Sequence, residues 1–206
     1  IWRSNEPDWL EAMRRPLSEL TALQTELNIP VLCAGDIFDR WFGAFQSAEL
    51  INFAIHYLPQ MYAVPGQHDL PNHNIDELKR SAFWTLCETS KIVIAAPKAM
   101  QLGTFKNEYS VRGFCWGQNI VETRRTDCLQ VAIAHQYVYI PGYSYQGAPE
   151  DCNLIRKKTQ FINGKWMGYD VVVFGDNHKG FKTKIGETTI YNCGGFMRRK
   201  SDEIDY

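Results

Sequence analysis

Apolar and polar residues follow two alternating patterns in the first half of the chain. Apolar residues spaced three and four apart, as in a helix with one buried face, alternate with short continuous apolar runs that are typical of buried parallel strands. The predicted helices are 4–28, with a kink or break at Pro16, 47–58 and 76–89, and the predicted strands are 30–36, 61–66 and 91–96. This alternation predicts an α/β domain with parallel strands at its centre.

The second half is richer in predicted strands. Apolar runs predict strands at 108–117, 128–136 and 169–178, residues 180–192 have the pattern of a hairpin, and a loop at 136–153 precedes a predicted helix at about 154–162. Trp84, Trp116 and Trp166 are expected in the core. Because no repeat or linker composition divides the chain, we expect residues 1–206 to form a single domain.

Composition limits the functions that the chain can have. Its 206 residues are 45% hydrophobic and carry a net charge of −1, so no general positive field holds nucleic acid, and such binding would have to be local. The six cysteines are scattered without a C-x-x-C pair, which favours a reducing, cytoplasmic location. No apolar run is long enough to span a bilayer, so no membrane association is expected.

Residues that can bind metal follow four of the predicted strands. They are Asp36 and Asp39 after the first, Gln67, His68 and Asp69 after the second, His135 after 128–134, and Asp176 and His178 after 171–174. In open α/β sheets, ligands bind outside the carboxyl ends of the strands, so these side chains are expected to meet in one crevice.

Each cluster also has a structural interpretation. Asp36 and Asp39 could cap the following helix, His135 could be a buried core histidine, and His178 could belong to a turn. The same placement after four strands favours a joint metal site instead. Carboxylate and imidazole ligands suit Mn²⁺, Fe²⁺, Zn²⁺ or Mg²⁺, and two such ions can promote attack on a phosphoryl group.

In their order, the motifs resemble those of the calcineurin-like metallophosphoesterases. The resemblance covers most of the chain: G-D-x-x-D at 35–39, a relative of G-N-H-D at 66–69, the lone His135, and a relative of G-H-x-H at 175–178. It implies a two-sheet β-sandwich flanked by helices. The family's D-x-H motif has no counterpart here, so the first strand, which carries it, is expected upstream of Ile1.

The resemblance also implies roles for individual residues. Asp36 would bridge two metal ions, His178 would bind the first, and Gln67, His135 and Asp176 would bind the second. His68 would face the substrate, where it could donate to the phosphoryl oxygens or protonate the leaving group, oriented by Asp69. Gln67 stands where the family has Asn, and Asp176 where it has His; the added carboxylate favours Mn²⁺ or Mg²⁺, with Mn²⁺ preferred.

Within the family, the layout resembles the nuclease branch of SbcCD-type and phage DNA exonucleases. This resemblance implies a DNA substrate, a role in DNA repair, and an ATPase partner subunit, and it leaves a homodimer open. Arg40, Asn72 and His73, which follow the first two motifs, are candidates for substrate binding. Basic clusters at 14–15, 124–125, 156–158 and 198–200 and a tyrosine-rich loop could contact DNA, although such clusters are usually solvated surface.

Two alternatives remain open at the level of sequence. The same chemistry could act on a small nucleotide or phosphomonoester, for which polymer length would not matter. The chain could instead be a non-catalytic binding module that keeps the fold without the complete set of metal ligands.

Overall fold

A computed structural model describes residues 8–41, 46–98, 100–103, 108–139 and 160–196. The α-helices of this part are α1 (Trp9–Leu27), α2 (Ala48–Tyr57) and α3 (Ala82–Glu88). The strands are β1 (Val31–Cys33), β2 (Met61–Ala63), β3 (Ile92–Ile94), β4 (Met100–Gly103), β5 (Glu108–Phe114), β6 (Leu129–Ala134), β7 (Phe161–Ile162), β8 (Lys165–Trp166), β9 (Val171–Phe174), β10 (Phe181–Ile185) and β11 (Thr188–Asn192). Three 3₁₀ segments, Gln67–Asp69, Pro71–His73 and Ile75–Arg80, join β2 to α3.

The first half forms a three-stranded parallel sheet in the order β1-β2-β3. Val31 is paired with Met61, and Met61 with Ile92, so all three strands run the same way and end together. The α2 helix connects β1 to β2, and α3 lies between β2 and β3, as parallel pairing requires. The predicted alternation of helices and strands is confirmed.

The second half forms a six-stranded mixed sheet in the order β10-β11-β9-β6-β5-β4. Its four central strands, β5, β6, β9 and β11, are parallel, and antiparallel β4 and β10 lie at the edges. The hairpin predicted at 180–192 is β10 and β11. Strands β7 and β8 form a separate small hairpin.

Helix ends follow local hydrogen bonding. The α1 helix begins after Asp8, whose carboxylate accepts from the amide of Glu11 at 3.0 Å, and ends at Asn28 in the left-handed conformation. Ser47 and Ser81 cap α2 and α3 through their hydroxyl groups. Neither Asp36 nor Asp39 provides the cap of α2, so these carboxylates remain available for another role.

The core joins the two sheets. Val64 and Ala95, which follow β2 and β3, pack in one buried cluster with Val111, Val131 and Ile133 of the six-stranded sheet. A second cluster places α2 and α3 on the other face of the three-stranded sheet. The chain is therefore a mixed α/β fold whose sheets are flanked by helices, as predicted, and the packing brings the carboxyl ends of β1, β2, β6 and β9 together.

Several local predictions were wrong. Helix α1 runs as one element from Trp9 to Leu27 through Pro16, so the predicted break is absent. The predicted helix at 76–89 is divided at Ser81 into a 3₁₀ segment and α3. Of the predicted helix at 154–162, residues 154–159 lie outside the described part and 161–162 are strand β7. The β4 strand was not predicted.

Trp166 is fully buried, as predicted, but Trp116 is 39% exposed and does not belong to the core. In the part of the chain that the structure describes, no helix has both the length and the apolar composition needed to cross a membrane.

Candidate metal centre

Three of the predicted ligands converge at the strand ends. Asp36 after β1, His135 after β6 and Asp176 after β9 each offer one ligand atom, and these atoms lie within 4.8 Å of one another. The residues are 99 and 41 positions apart in sequence, so only the packing of the two sheets brings them together. This group is the centre of the candidate site.

Asp36 is held by a tight turn after β1. Gly35 and Asp36 have φ angles of 95° and 54°, a left-handed conformation that glycine and aspartate tolerate best. One carboxylate oxygen of Asp36 accepts from the backbone amide of His68 at 3.0 Å. The turn therefore places the other oxygen beside His135 and fixes its direction.

His135 is 1% exposed, and its two ring nitrogens have different surroundings. Nδ1 hydrogen-bonds to the carbonyl oxygen of Ala34, which leaves Nε2 facing the carboxylates. Nε2 lies 3.3 Å from Asp36 Oδ2, but within the described residues it has no hydrogen bond of acceptable geometry. A buried ring nitrogen oriented in this way is suited to metal binding.

The electrostatics around His135 and Asp36 favour a positive charge between them. Burial of His135 lowers its pKa, but the carboxylate of Asp36, the carbonyl of Ala34 and the charge of Asp176 outweigh burial and raise the pKa above its ordinary value. Burial of Asp36 raises its pKa, but His135 and the amide of His68 outweigh it, so this pKa is lowered. The site thus stabilises a cation between its carboxylates.

Gln67 connects the loop after β2 to this group. Its side-chain Nε2 donates to Asp176 Oδ1 at 2.8 Å, while its Oε1 is buried and has no hydrogen-bond partner among the residues that the structure describes. A buried amide oxygen without a partner costs free energy, and a metal ion would satisfy it. The amide that stands where the family has Asn is therefore directed into the site.

Three glycines let the strand ends approach so closely. A Cβ on Gly66 would collide with Asp36 Oδ1 and lie 2.7 Å from His135 Cε1. A Cβ on Gly35 or Gly175 would lie 2.6 or 2.8 Å from His135 Nδ1. The glycines of the three motifs are thus required by contacts around His135 and Asp36.

Asp69 has a different environment from the one expected. Its buried carboxylate accepts from the backbone amides of Asp36 at 2.8 Å, Gly66 at 3.0 Å and Phe38 at 3.2 Å. Burial raises the pKa of this carboxyl and the charge of Asp36 raises it further, against the amide bonds that lower it. Its hydrogen bonds go to these loop amides and not to the His68 ring, so Asp69 holds the two loops together.

The His68 ring lies at the edge of the group. Its side chain is 42% exposed, and Nε2 is 3.9 Å from Asp36 Oδ2. Its backbone amide is fixed by Asp36, so the position of His68 depends on the same carboxylate as the centre itself. An exposed imidazole beside a carboxylate cluster can transfer a proton to a bound molecule.

The other predicted residues lie further out. His178 is half-buried on the loop after β9 and is not a member of the three-residue group. Arg40 is exposed, with its guanidinium 4.0 Å from Asp39. Asn72 and His73 are exposed as well: Asn72 donates to Glu77 at 3.2 Å, and His73 Nδ1 lies 3.2 Å from the carbonyl oxygen of Gln67.

Sequence reasoning missed two residues at this site. Asn192, buried at the end of β11, donates to the carbonyl oxygens of Asn177 at 2.6 Å and Lys179 at 2.9 Å, and so holds the loop that carries His178. The signal in the sequence was the polar Asn192 at the end of the β11 pattern. Trp116 follows β5 at the same edge of the sheet. As an aromatic residue, it lacks the polar character that marks a candidate metal ligand in the sequence.

The residues present fit divalent metal ions. The donor set combines two carboxylates, one oriented imidazole and one amide oxygen, and two of its atoms, Gln67 Oε1 and His135 Nε2, are buried without a hydrogen bond within the described part of the chain. Oxygen and imidazole ligands of this kind suit Mn²⁺, Fe²⁺, Zn²⁺ and Mg²⁺. The group is therefore a candidate metal centre.

Comparison with known families agrees with the fold and the centre. The family model for calcineurin-like phosphoesterase matches residues 15–180, and the chain therefore belongs to this family. Its members are hydrolases that use divalent metal ions, which the candidate centre can hold. A comparison with curated proteins gave no match.

Solved structures share the fold at low sequence identity. The sulfate thiohydrolase SoxB of Thermus thermophilus, in complex with glycerol, aligns over 89% of this chain and 37% of its own, with 10% identity and a TM-score of 0.54. A Staphylococcus aureus protein named as a 5′-nucleotidase aligns over 87% and 42%, with 10% identity and a TM-score of 0.51. The chain spans less than half the length of these two proteins.

Proposed function

We propose that this chain is a phosphodiesterase that uses two divalent cations, preferably Mn²⁺, to hydrolyse the backbone of DNA. The observation that supports it is the group of Asp36, His135 and Asp176 with ligand atoms within 4.8 Å, next to the unpartnered Oε1 of Gln67. Asp36, Gln67, His135, Asp176 and His178 would hold the cations. The expected setting is the cytoplasm, with an ATPase subunit as partner.

The protein's own residues would have separate roles in the reaction. When bound, divalent ions supply an activated water and neutralise charge on the phosphoryl oxygens. The His68 ring, exposed beside Asp36, would donate its proton to the leaving oxygen. Asp69 would position His68 indirectly, because its carboxylate ties the Gly66 loop to the Asp36 loop. The exposed Arg40, which follows the G-D-x-x-D motif, would attract the phosphate of the substrate.

A small nucleotide is the second candidate substrate, and the basic residues favour it. Arg14 pairs with Glu11, Arg124 with Glu122 and Arg125 with Asp127, so three of the four arginines in the two described clusters already have a carboxylate partner. The clusters at 156–158 and 198–200 lie outside the described residues. Binding a long polyanion normally needs several unpaired basic contacts to phosphates.

The test compares substrates with one full-length gene product. End-labelled single- and double-stranded DNA and bis(p-nitrophenyl) phosphate would be incubated with Mn²⁺, with chelator, and with a His68→Ala variant. Metal-dependent cleavage of DNA that the variant loses supports the nuclease. Hydrolysis of only the small diester supports the second candidate. Bound metal without hydrolysis of either would overturn both and leave a binding module.

A further inference from the structure

Trp116 lies on a tight turn at the carboxyl end of β5. The amide of Gln118 donates to the carbonyl of Cys115 at 3.0 Å, and Gly117 has a φ of 79°, which this turn requires. Trp116 is the first of the two central residues of this turn and is 39% exposed. An exposed tryptophan at the edge that carries a metal centre needs an explanation, because tryptophan is usually largely buried.

This turn is attached to the loops of the candidate metal centre. The amide of Trp116 donates to the carbonyl of Pro65 at 3.2 Å, directly before the Gly66-Gln67-His68 loop. On the other side, the amide of His135 donates to the carbonyl of Phe114 at 3.0 Å. The backbone of Trp116 is therefore held in place by the same segments that carry two candidate ligands.

His73 completes a two-ring surface with Trp116. The ring centroids are 5.4 Å apart and the planes are inclined by 44°. His73 has a φ of 56° and follows Asn72 at 51°, two successive left-handed residues that are not glycine. Such conformations are uncommon and persist where the surrounding structure holds them. Here the Nδ1 of His73 lies 3.2 Å from the carbonyl oxygen of Gln67.

We propose that Trp116 and His73 form an aromatic shelf that binds the base of a nucleotide-bearing phosphoester, a proposal that rests on the proposed function. A base has a flat π-face, and aromatic side chains stack on it with little dependence on its identity. The shelf adjoins Gln67, so a base resting on it keeps its phosphate near the centre. Asn72 is committed to Glu77, and the His73 ring to Trp116 and Gln67, so a base contact replaces the phosphate contact expected for His73.

The test uses two substrates with one leaving group. Thymidine 5′-(p-nitrophenyl phosphate) carries a base, and methyl p-nitrophenyl phosphate does not. In Trp116→Leu we expect kcat/KM for the thymidine ester to fall about tenfold, mainly through KM, consistent with the loss of one stacked base. The kcat/KM for the methyl ester should be unchanged, and Trp116→Phe should retain most of the wild-type preference for the thymidine ester. An equal fall for both esters, or no fall, overturns the shelf.

The His73 side chain has a matched control in His56, which is exposed on α2 and packs edge-on against Tyr57. His73→Ala should reduce the preference for the thymidine ester, and His56→Ala should not. Oligonucleotides with and without a single abasic position give the same comparison on a polymer. A loss on the oligonucleotides as well as on the thymidine ester assigns the shelf to DNA as well as to small nucleotides, whereas a loss on the thymidine ester alone restricts it to small nucleotides.

A binding measurement separates failure of the shelf from failure of the proposed function. If no ester is hydrolysed, the proposed function fails. Quenching of tryptophan fluorescence by AMP in the presence of Mn²⁺ then tests the shelf alone. Quenching in the wild type that is absent in Trp116→Leu supports the shelf, and the absence of quenching in the wild type overturns it.

Discussion

Gln67 and Asp176, 109 positions apart, are joined by a 2.8 Å hydrogen bond from the side-chain amide to the carboxylate. The bond links the loop after β2 to the loop after β9, and so crosses between the two sheets. It also directs Oε1 of Gln67 into the buried site, where no described residue forms a hydrogen bond with it. The two residues that stand where the family has Asn and His are therefore hydrogen-bonded to each other.

Replacing Gln67 should weaken metal binding. In Gln67→Leu, the amide oxygen is lost and Asp176 loses its donor, so affinity for Mn²⁺ should fall roughly 10-fold or more. Isothermal titration calorimetry would measure the change. Gln24→Leu removes a side-chain amide that donates to the carbonyl of Gln60, away from the metal group, and it serves as the matched control. Equal affinities for the two variants would contradict a ligand role for Gln67.

The two aspartates of the G-D-x-x-D motif should behave differently. Asp36 lies 3.3 Å from His135 and belongs to the metal group, whereas Asp39 lies beside the exposed Arg40 and does not. Asp36→Asn should therefore abolish binding of at least one metal ion, and Asp39→Asn should leave the stoichiometry unchanged. Metal content after dialysis, measured by mass spectrometry, would distinguish the two variants. Retained metal in Asp36→Asn would remove Asp36 from the centre.

A methyl group on Gly66 should disrupt the centre by contact alone. Its φ of −90° suits any residue, so Gly66→Ala adds no backbone strain, but the Cβ would collide with Asp36 and lie 2.7 Å from His135. Metal binding should be lost. Gly117→Ala is the opposite case, with a φ of 79° and nothing within 4 Å of the added Cβ. It should cost about 1 kcal/mol of stability and keep the metal.

Removal of the Asp69 carboxylate should destabilise the fold. Asp69→Ala leaves the amides of Asp36, Phe38 and Gly66 without their acceptor in a buried region, which costs about 1–3 kcal/mol for each donor that water cannot reach. Urea unfolding followed by circular dichroism would measure the loss. Asp127→Ala removes an exposed carboxylate paired with Arg125 and should change nothing measurable. Similar unfolding curves for the two variants would refute the connecting role of Asp69.

The sequence by itself determined where the candidate ligands lie, at the ends of short buried strands. Short apolar runs that stop at Gly35, Gly66 and Gly175, each followed by polar residues, were sufficient to predict parallel strands and a common edge. The family resemblance added the two-sheet fold. These features are local, because strand formation and strand ends depend on the burial pattern of a few adjacent residues.

Only the tertiary structure decided what each residue does there. In the folded chain, Gln67 is hydrogen-bonded to Asp176, and the carboxylate of Asp69 accepts from backbone amides. His178 lies outside the three-residue group, and Trp116 is exposed beside His73. None of these relationships has a local signal, because each depends on how two sheets pack and on where a loop amide or a ring happens to face. Side-chain partners across a hundred residues are determined by that packing and not by the pattern of any one segment.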